Sequence, residues 1–458
     1  MNAQNAAGNA GTAAAGEAER FLAAHPDLEA VDLLLTDANG VARGKRLRPH
    51  ELPPVYAHGR YLPGSILGLD LLGHDVHESG LVWDDGDADR LCVPVPGTLA
   101  RAPWQPRPTA QALLTMHELD GRPAAGDPRH ALVRSVAALE ALGLRPVVAC
   151  ELEFYLFDAA SVAGGRPRPV SSRPHATQVY ELDALDAVGE FLAELHAHAA
   201  VQGVPSETAI SEFAPGQYEL TLHHRADALR AADEAILWKR LVKGTAARHG
   251  WHASFMAKPL SGHSGSGLHV HVSLADADGC NRFASEDPAG TPLLRHAIAG
   301  LARAMPDCQL VFAPHANSYR RYRAGSYAPM TPLWGINNRS VGLRVPAGPA
   351  PSRHIEHRVA GADANPYLVL AVVLAAVRAG IEAGEEPGPP VRGNGYEQAG
   401  ERLPASWREA ITRAEASGFL REALGADCLR IFTAIKRQEW ERFEAEVTDA
   451  DWRWGSGL

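Results

Sequence analysis

The run Cys150-Glu-Leu-Glu-Phe-Tyr-Leu-Phe157 constrains this chain more than any other segment. Along a strand the side chains alternate faces, so Glu151 and Glu153 share one face while Leu152, Phe154 and Leu156 share the other. The pattern suits a half-buried strand that packs on a core through one face and carries charge on the other. Three further segments repeat it. Ile210-Ser-Glu-Phe-Ala-Pro-Gly-Gln-Tyr-Glu-Leu220 reads as a strand, a Pro215-Gly216 turn and a returning strand, which brings Glu212 and Glu219 near each other. In Gly265-Ser-Gly-Leu-His-Val-His-Val-Ser273, His269, His271 and Ser273 face one way and Leu268, Val270 and Val272 the other. In Arg353-His-Ile-Glu-His-Arg358, Glu356 and Arg358 share a face.

A lone Glu-x-Glu is ordinarily the wet face of a sheet. Five carboxylates and an imidazole (Glu151, Glu153, Glu212, Glu219, Glu356 and His269) on strand faces are different, because they repel unless a cation lies between them. Oxygen-rich ligands with one imidazole favour Mg²⁺ or Mn²⁺ over zinc or copper. Arg321, Arg339, Arg344 and Arg358 supply the guanidinium forks that match phosphates and carboxylates. Acids and arginines together suggest metals and anions handled at one place, as in phosphoryl transfer.

The rest of the chain sets bounds on that chemistry. With 458 residues it is long enough for two or three domains. It has 44 basic and 54 acidic side chains, a net charge of −10, which argues against nucleic acid as a partner. Five scattered cysteines exclude a disulfide scaffold and suit a reduced, cytoplasmic protein. Residues 1–16 have neither the basic start nor the apolar core of a signal peptide and read as a disordered tail. The longest apolar run, Tyr367 to Val377, is about half of what a membrane-spanning helix needs, so no membrane is expected. Asn39-Gly40 between Val31–Asp37 and Val41–Lys45 predicts a hairpin. Asp127-Pro128 opens a helix that Gly143 ends, and a domain boundary is placed near Gly121, giving units 17–121 and 122–458. Beyond it strands alternate with helices, predicted at Asp186–Gln202, Ala228–His249, Pro366–Ala383 and Trp407–Leu424, with a strand at Ser254–Lys258.

Several motifs, in order, resemble the glutamine synthetase family. Its Asn-Gly-Ser-Gly-Met-His-Cys-His-x-Ser block reads Ser264-Gly-Ser-Gly-Leu-His-Val-His-Val-Ser273 here. Its Asn-Ser-Tyr-Lys-Arg reads Asn317-Ser-Tyr-Arg-Arg321, and its Asn-Arg-Ser and Arg-x-Pro read Asn338-Arg-Ser340 and Arg344-Val-Pro346. Ile355-Glu-His-Arg358 and Asn365-Pro-Tyr-Leu368 complete the set. The resemblance implies an α+β fold: a small β-grasp-like N-terminal domain, then a catalytic domain with a curved, mainly antiparallel sheet and flanking helices. It implies two to three Mg²⁺ or Mn²⁺ ions, one held by Glu153, Glu212 and Glu219 and another by Glu151, His269 and Glu356. ATP falls to Glu207, His271, Ser273, Arg339 and Arg344, and glutamate to Ser264, Gly265, Arg321 and Arg358. Arg321, Arg339 and Tyr327 are the residues it sets at the chemistry. Rings of subunits, commonly two stacked hexamers, are also implied.

The implied reaction is activation of the glutamate side chain by ATP as γ-glutamyl phosphate, then displacement by an amine. Which amine is where the sequence departs from the family. The family's Asp-Gly-Ser-Ser-Ile reads Leu62-Pro-Gly-Ser-Ile66, its Glu-Ser-Asp reads Glu78-Ser-Gly80, and its Gly-Tyr-Glu-Ala-Pro reads Gly325-Ser-Tyr-Ala-Pro329. Acids that cage ammonium are thus replaced by Leu62, Gly80 and Tyr327, which suit an alkylamine or polyamine such as putrescine. The resemblance therefore points to the branch that makes γ-glutamyl amides of amines. A glutamine synthetase using ammonium and a non-catalytic regulatory protein on the same fold are the alternatives.

Overall fold

The computed structural model describes residues 16–457. Of the expected tail, residues 1–15 lie outside the described residues, whereas Gly16 opens a helix over 16–24 whose Ala18 is buried.

The N-terminal sheet comprises β1 (Ala30–Thr36), β2 (Ala42–Leu47), β3 (Arg60–Pro63), β4 (Asp89–Pro94), β5 (Ala100–Arg101) and β6 (Thr109–His117). Its order is β2-β1-β6-β4-β3, with β5 paired to β6. β1 and β2 form the expected hairpin, Gly40 taking the positive φ of the turn, and β1 runs parallel to β6 as in a β-grasp.

The second sheet comprises β7 (Arg145–Asp158), β8 (Ser206–Ser211), β9 (Gln217–Leu222), β10 (Trp251–Ser254), β11 (Leu268–Ala275), β12 (Trp334–Ile336), β13 (Leu343–Val345) and β14 (Ile355–His357). The order β12-β13-β14-β11-β7-β9-β8 is antiparallel except at β12–β13, and the sheet curls into a half-barrel. β7 is central because it is long enough to pair with β11, β9 and, at its far end, β10. The predicted Ser254–Lys258 strand instead lies at Trp251–Ser254.

Helices cover the apolar side of this sheet. Asp127 caps helix Pro128–Glu140 and Asn365 caps Pro366–Ala383, each accepting a backbone N–H two residues on. The Pro366–Ala383 helix is apolar enough to cross a membrane, yet Leu370, Val373 and Leu374 are fully buried against neighbouring helices. Each such side chain contributes about 1.5–3 kcal/mol of apolar burial. Two predicted helices are broken in the structure. Asp186–Gln202 starts as Leu182–Asp186 and resumes at Gly189. Trp407–Leu424 splits at Ser417, whose hydroxyl caps the second half at Leu420 N and also donates to Asp307.

The β1–β2 turn of the N-terminal sheet meets the later helices through buried polar groups. Lys436, fully buried on helix Ala426–Ala445, pairs with Glu439 at 2.9 Å and donates to Asn39 in the β1–β2 turn. Asn39 Nδ2 donates to Glu439 at 2.9 Å, and Asn365 Nδ2 donates to the Asp37 carbonyl at 3.0 Å.

Candidate active site

Pairing register, not sequence proximity, assembles the acidic face. Glu153 lies opposite Glu219 on β9, and Glu151 lies opposite His269 on β11. His271 in turn lies opposite Glu356 on β14. Glu212 reaches the same face from the β8–β9 turn, which Gly216 closes with a positive φ. Three overlapping sets of ligand atoms result, each within 4.8 Å of one another: Glu153, Glu212 and Glu219; Glu151, Glu219 and His269; Glu151, His271 and Glu356. The first set is the one expected. In the second region Glu219 and His271 join the expected Glu151, His269 and Glu356.

The electrostatics of these groups are those of a site built around cations. Burial and the neighbouring Glu212 push the Glu153 carboxyl up to about 8. Burial, with Glu151 and Glu153 beside it, drives Glu219 well above the carboxylate range, and burial likewise raises Glu212. Burial would raise Glu151 too, but contacts with His269 and His271 outweigh it and hold it low. Glu356 is held down to about 2 against burial, chiefly by Arg358. Burial lowers His269, which leaves its ring neutral with a lone pair to give. His271 Nε2 is buried, lies 3.1 Å from Glu151, and has no well-aligned hydrogen-bond partner. An oxygen-rich donor set with one or two imidazoles and an under-partnered ring nitrogen fits Mg²⁺ or Mn²⁺.

Arginines close one end of the site. Arg344 and Arg358 both pair with the Glu356 carboxylate, Arg344 at 2.7 Å. Arg321 is buried and donates to the Val359 carbonyl at 2.8 Å. A Cβ on Gly265 would lie 2.5 Å from the Ala257 carbonyl and 2.7 Å from Arg321 Cγ, so only glycine lets the chain pass this close. The Gly267 N–H donates to Glu153 at 2.8 Å, and the Ser264 carbonyl accepts from Tyr155 at 2.7 Å. Gln217, not singled out in the sequence, donates to Gly265 O at 3.0 Å and approaches Glu153 at 3.3 Å.

Beside the acidic face opens a cavity of about 690 Å³, lined in part by Glu151, Glu207, His271, Ser273 and His354. Glu207 is steadied by His223 Nδ1 at 2.6 Å. Arg339 and Arg344 are not among the cavity's lining. Arg339 is exposed on its loop, where its charge acts on Glu212. His354, whose Nε2 lies 2.9 Å from His271 Nδ1, was missed although period two places it on one face with Glu356 and Arg358.

The amine-site residues fare unequally. Leu62 is only 1% exposed in the core under β3, so within this chain its side chain offers no surface to a substrate, contrary to expectation. Gly80 caps a short turn at φ 68°, a conformation that by itself asks for glycine. Tyr327 is 61% exposed on the loop after Arg321, also with positive φ.

Residues 125–455 match the family described as glutamine synthetase, catalytic domain. The chain belongs to the glutamine synthetase family. It is 39% identical over 449 residues to γ-glutamylputrescine synthetase PuuA of Escherichia coli, covering 97% of this chain and 95% of that one. It is 32% identical over 409 residues to a glutamate–isopropylamine ligase of a Pseudomonas species, covering 88% of each. Among solved structures, the ADP complex of GmaS superposes with a TM-score of 0.85 at 28% identity, covering 97% of this chain and 99% of that one. The fold is thus of the glutamine synthetase type, and the Escherichia coli and Pseudomonas relatives are C–N ligases by name.

Proposed function

We propose that this chain is an ATP-dependent ligase that joins the γ-carboxylate of glutamate to an organic amine, with putrescine, another polyamine or a small alkylamine as the acceptor. The observation that carries the reading is the convergence of Glu151, Glu153, Glu212, Glu219, His269 and Glu356 on one sheet face beside a cavity of nucleotide size. Two to three Mg²⁺ or Mn²⁺ ions would be held by those six residues, and His271 lies within reach of one set. When bound, such ions offset the negative charge of a phosphoryl group in transfer.

The chain's own residues do the remaining work. Glu207, His271 and Ser273 line the space for ATP, and Arg339 and Arg344, which lie outside that lining, would serve its phosphates. Arg321 and Arg358 bind the glutamate carboxylates, with the Gly265 backbone and Ser264 beside them. A carboxylate is a poor acyl donor until its oxygen leaves easily. Phosphorylation to γ-glutamyl phosphate supplies that leaving group, and the amine displaces phosphate. Tyr327, where an ammonium-using relative carries an acid, presents an aromatic surface to the carbon chain of the amine, and Gly80 leaves space; both rest on the resemblance of their loops.

The division into 17–121 and 122–458, a cytoplasmic setting and assembly as two stacked hexamers belong to the same reading. The five cysteines are all free, which suits a reducing compartment. Mass measurement in solution tests the assembly, with a monomer as the contrary result. For the reaction, ADP release is measured with ATP, Mg²⁺ and glutamate while ammonium, putrescine, ethanolamine and isopropylamine are titrated. The reading expects at least one organic amine to exceed ammonium in kcat/KM. Ammonium equal to or better than every amine contradicts it and restores the glutamine synthetase alternative.

A further inference from the structure

Residues 393–403 run between two loops that carry proposed active-site residues, and they are bonded to both. At one end Asn338 Nδ2 donates to the Gly393 carbonyl at 2.9 Å, and the Gly395 N–H donates to Ser340 Oγ at 2.7 Å. These two partners flank Arg339. At the other end the Tyr396 hydroxyl donates to the Ala328 carbonyl at 3.1 Å, and the Leu403 N–H donates to the Met330 carbonyl at 3.0 Å. Ala328 directly follows Tyr327.

The Tyr327 loop needs such a hold. Tyr327 sits at φ 56°, a region that a bulky residue enters only when its surroundings enforce it. On the near side Ser326 Oγ donates to the Arg323 carbonyl at 2.6 Å and lies 3.1 Å from the Arg321 carbonyl. On the far side the half-buried Tyr396 hydroxyl supplies the matching tie. Behind the loop lies a cavity of about 160 Å³, lined in part by Ala324, Met330, Tyr396 and Arg402, so the loop has room to move if the tie is cut.

We propose that Tyr396 is a positioning residue: through its hydroxyl, the 393–403 strap holds the Tyr327 loop in register with the Arg339 loop and thereby sets capture of the amine. This rests on the function proposed above and deepens it. Tyr396 touches no reacting atom; it acts through the backbone next to Tyr327.

The test is Tyr396→Phe in the full-length protein, which removes the hydroxyl and keeps the ring. The amine KM is expected to rise about 5-fold, the scale of one hydrogen bond, while the ATP KM and the melting midpoint stay put. Amide exchange across residues 325–331 should quicken, and that across helix Pro366–Ala383 should not. Ser340→Ala, which removes one of the two ties at the strap's other end, should raise the amine KM in the same direction. If wild-type protein prefers ammonium, the earlier reading falls while the ammonium KM still reads the tie; if nothing turns over, loop exchange alone decides. Wild-type KM and wild-type loop exchange in Tyr396→Phe would overturn the proposal, as would a fall in kcat alone.

Discussion

Glu153 and Glu219 stand directly opposite each other on adjacent antiparallel strands of the sheet's charged face, Glu219 buried and Glu153 half-buried. Like charges in directly opposed positions destabilise a sheet. Burial, with Glu212 nearby, raises the Glu153 carboxyl to about 8, which favours a proton on it when no cation is bound. A divalent cation would relieve the repulsion more completely, and the first predictions follow from that exchange.

Metal affinity is expected to depend on pH with a definite sign. Glu153, Glu212 and Glu219 all have raised carboxyls, so binding an ion must displace protons. Mn²⁺ should bind more tightly as pH rises through about 8, where the Glu153 carboxyl gives up its proton. Calorimetric titration in two buffers of different ionisation enthalpy should report proton release near pH 7. The metal-free protein should show the opposite trend in stability. A raised carboxyl contributes stability that is full below its unfolded value and lost as pH rises through about 8.

Glu153→Gln separates stability from function. Removing one of two opposed carboxylates should stabilise the metal-free protein at pH 8 by up to ~1 kcal/mol, read as a higher melting midpoint in chelator. Turnover should fall on the order of 100-fold or more, since even partners of metal ligands matter to that extent.

Gly265→Ala tests the close passage beside Arg321. A methyl there would meet the Ala257 carbonyl at 2.5 Å and Arg321 Cγ at 2.7 Å. Displaced by even a fraction of an ångström, Arg321 should bind glutamate less well. Roughly 10- to 100-fold loss in kcat/KM for glutamate is expected, with metal affinity little changed.

Lys436→Ala tests the junction between helix Ala426–Ala445 and the β1–β2 turn. It leaves Glu439, which also accepts from Asn39 Nδ2 and Leu71 N, without its buried counter-charge. Stripping one partner from such a pair costs about 3–5 kcal/mol, to be read by denaturant titration.

What the sequence made legible was local. Period-two alternation exposed β7, β11 and their charged faces, and Pro215-Gly216 announced the turn that brings Glu212 round. The glycine-rich run before His269 and the arginine motifs carried the family. What escaped was set by distant contacts. No spacing rule places Glu153 opposite Glu219, because strand register is fixed by packing across the sheet. Ser417 breaks a helix through an acceptor on Asp307, more than a hundred residues away in sequence. Leu62 looked like a replaced site residue, yet its side chain faces the core, a distinction an aligned motif does not contain. The burial of Lys436 depends on Asn39, nearly four hundred residues away in sequence.

The central claim is that ATP energises the glutamate side chain before the amine attacks. Glutamate labelled with ¹⁸O in its γ-carboxylate, turned over with ATP, Mg²⁺ and the preferred amine, tests it directly. The account predicts that the phosphate released carries one labelled oxygen from glutamate for each γ-glutamyl amide formed. Unlabelled phosphate accompanying amide formation, or ATP cleavage that yields no amide with any amine or ammonium, would contradict it.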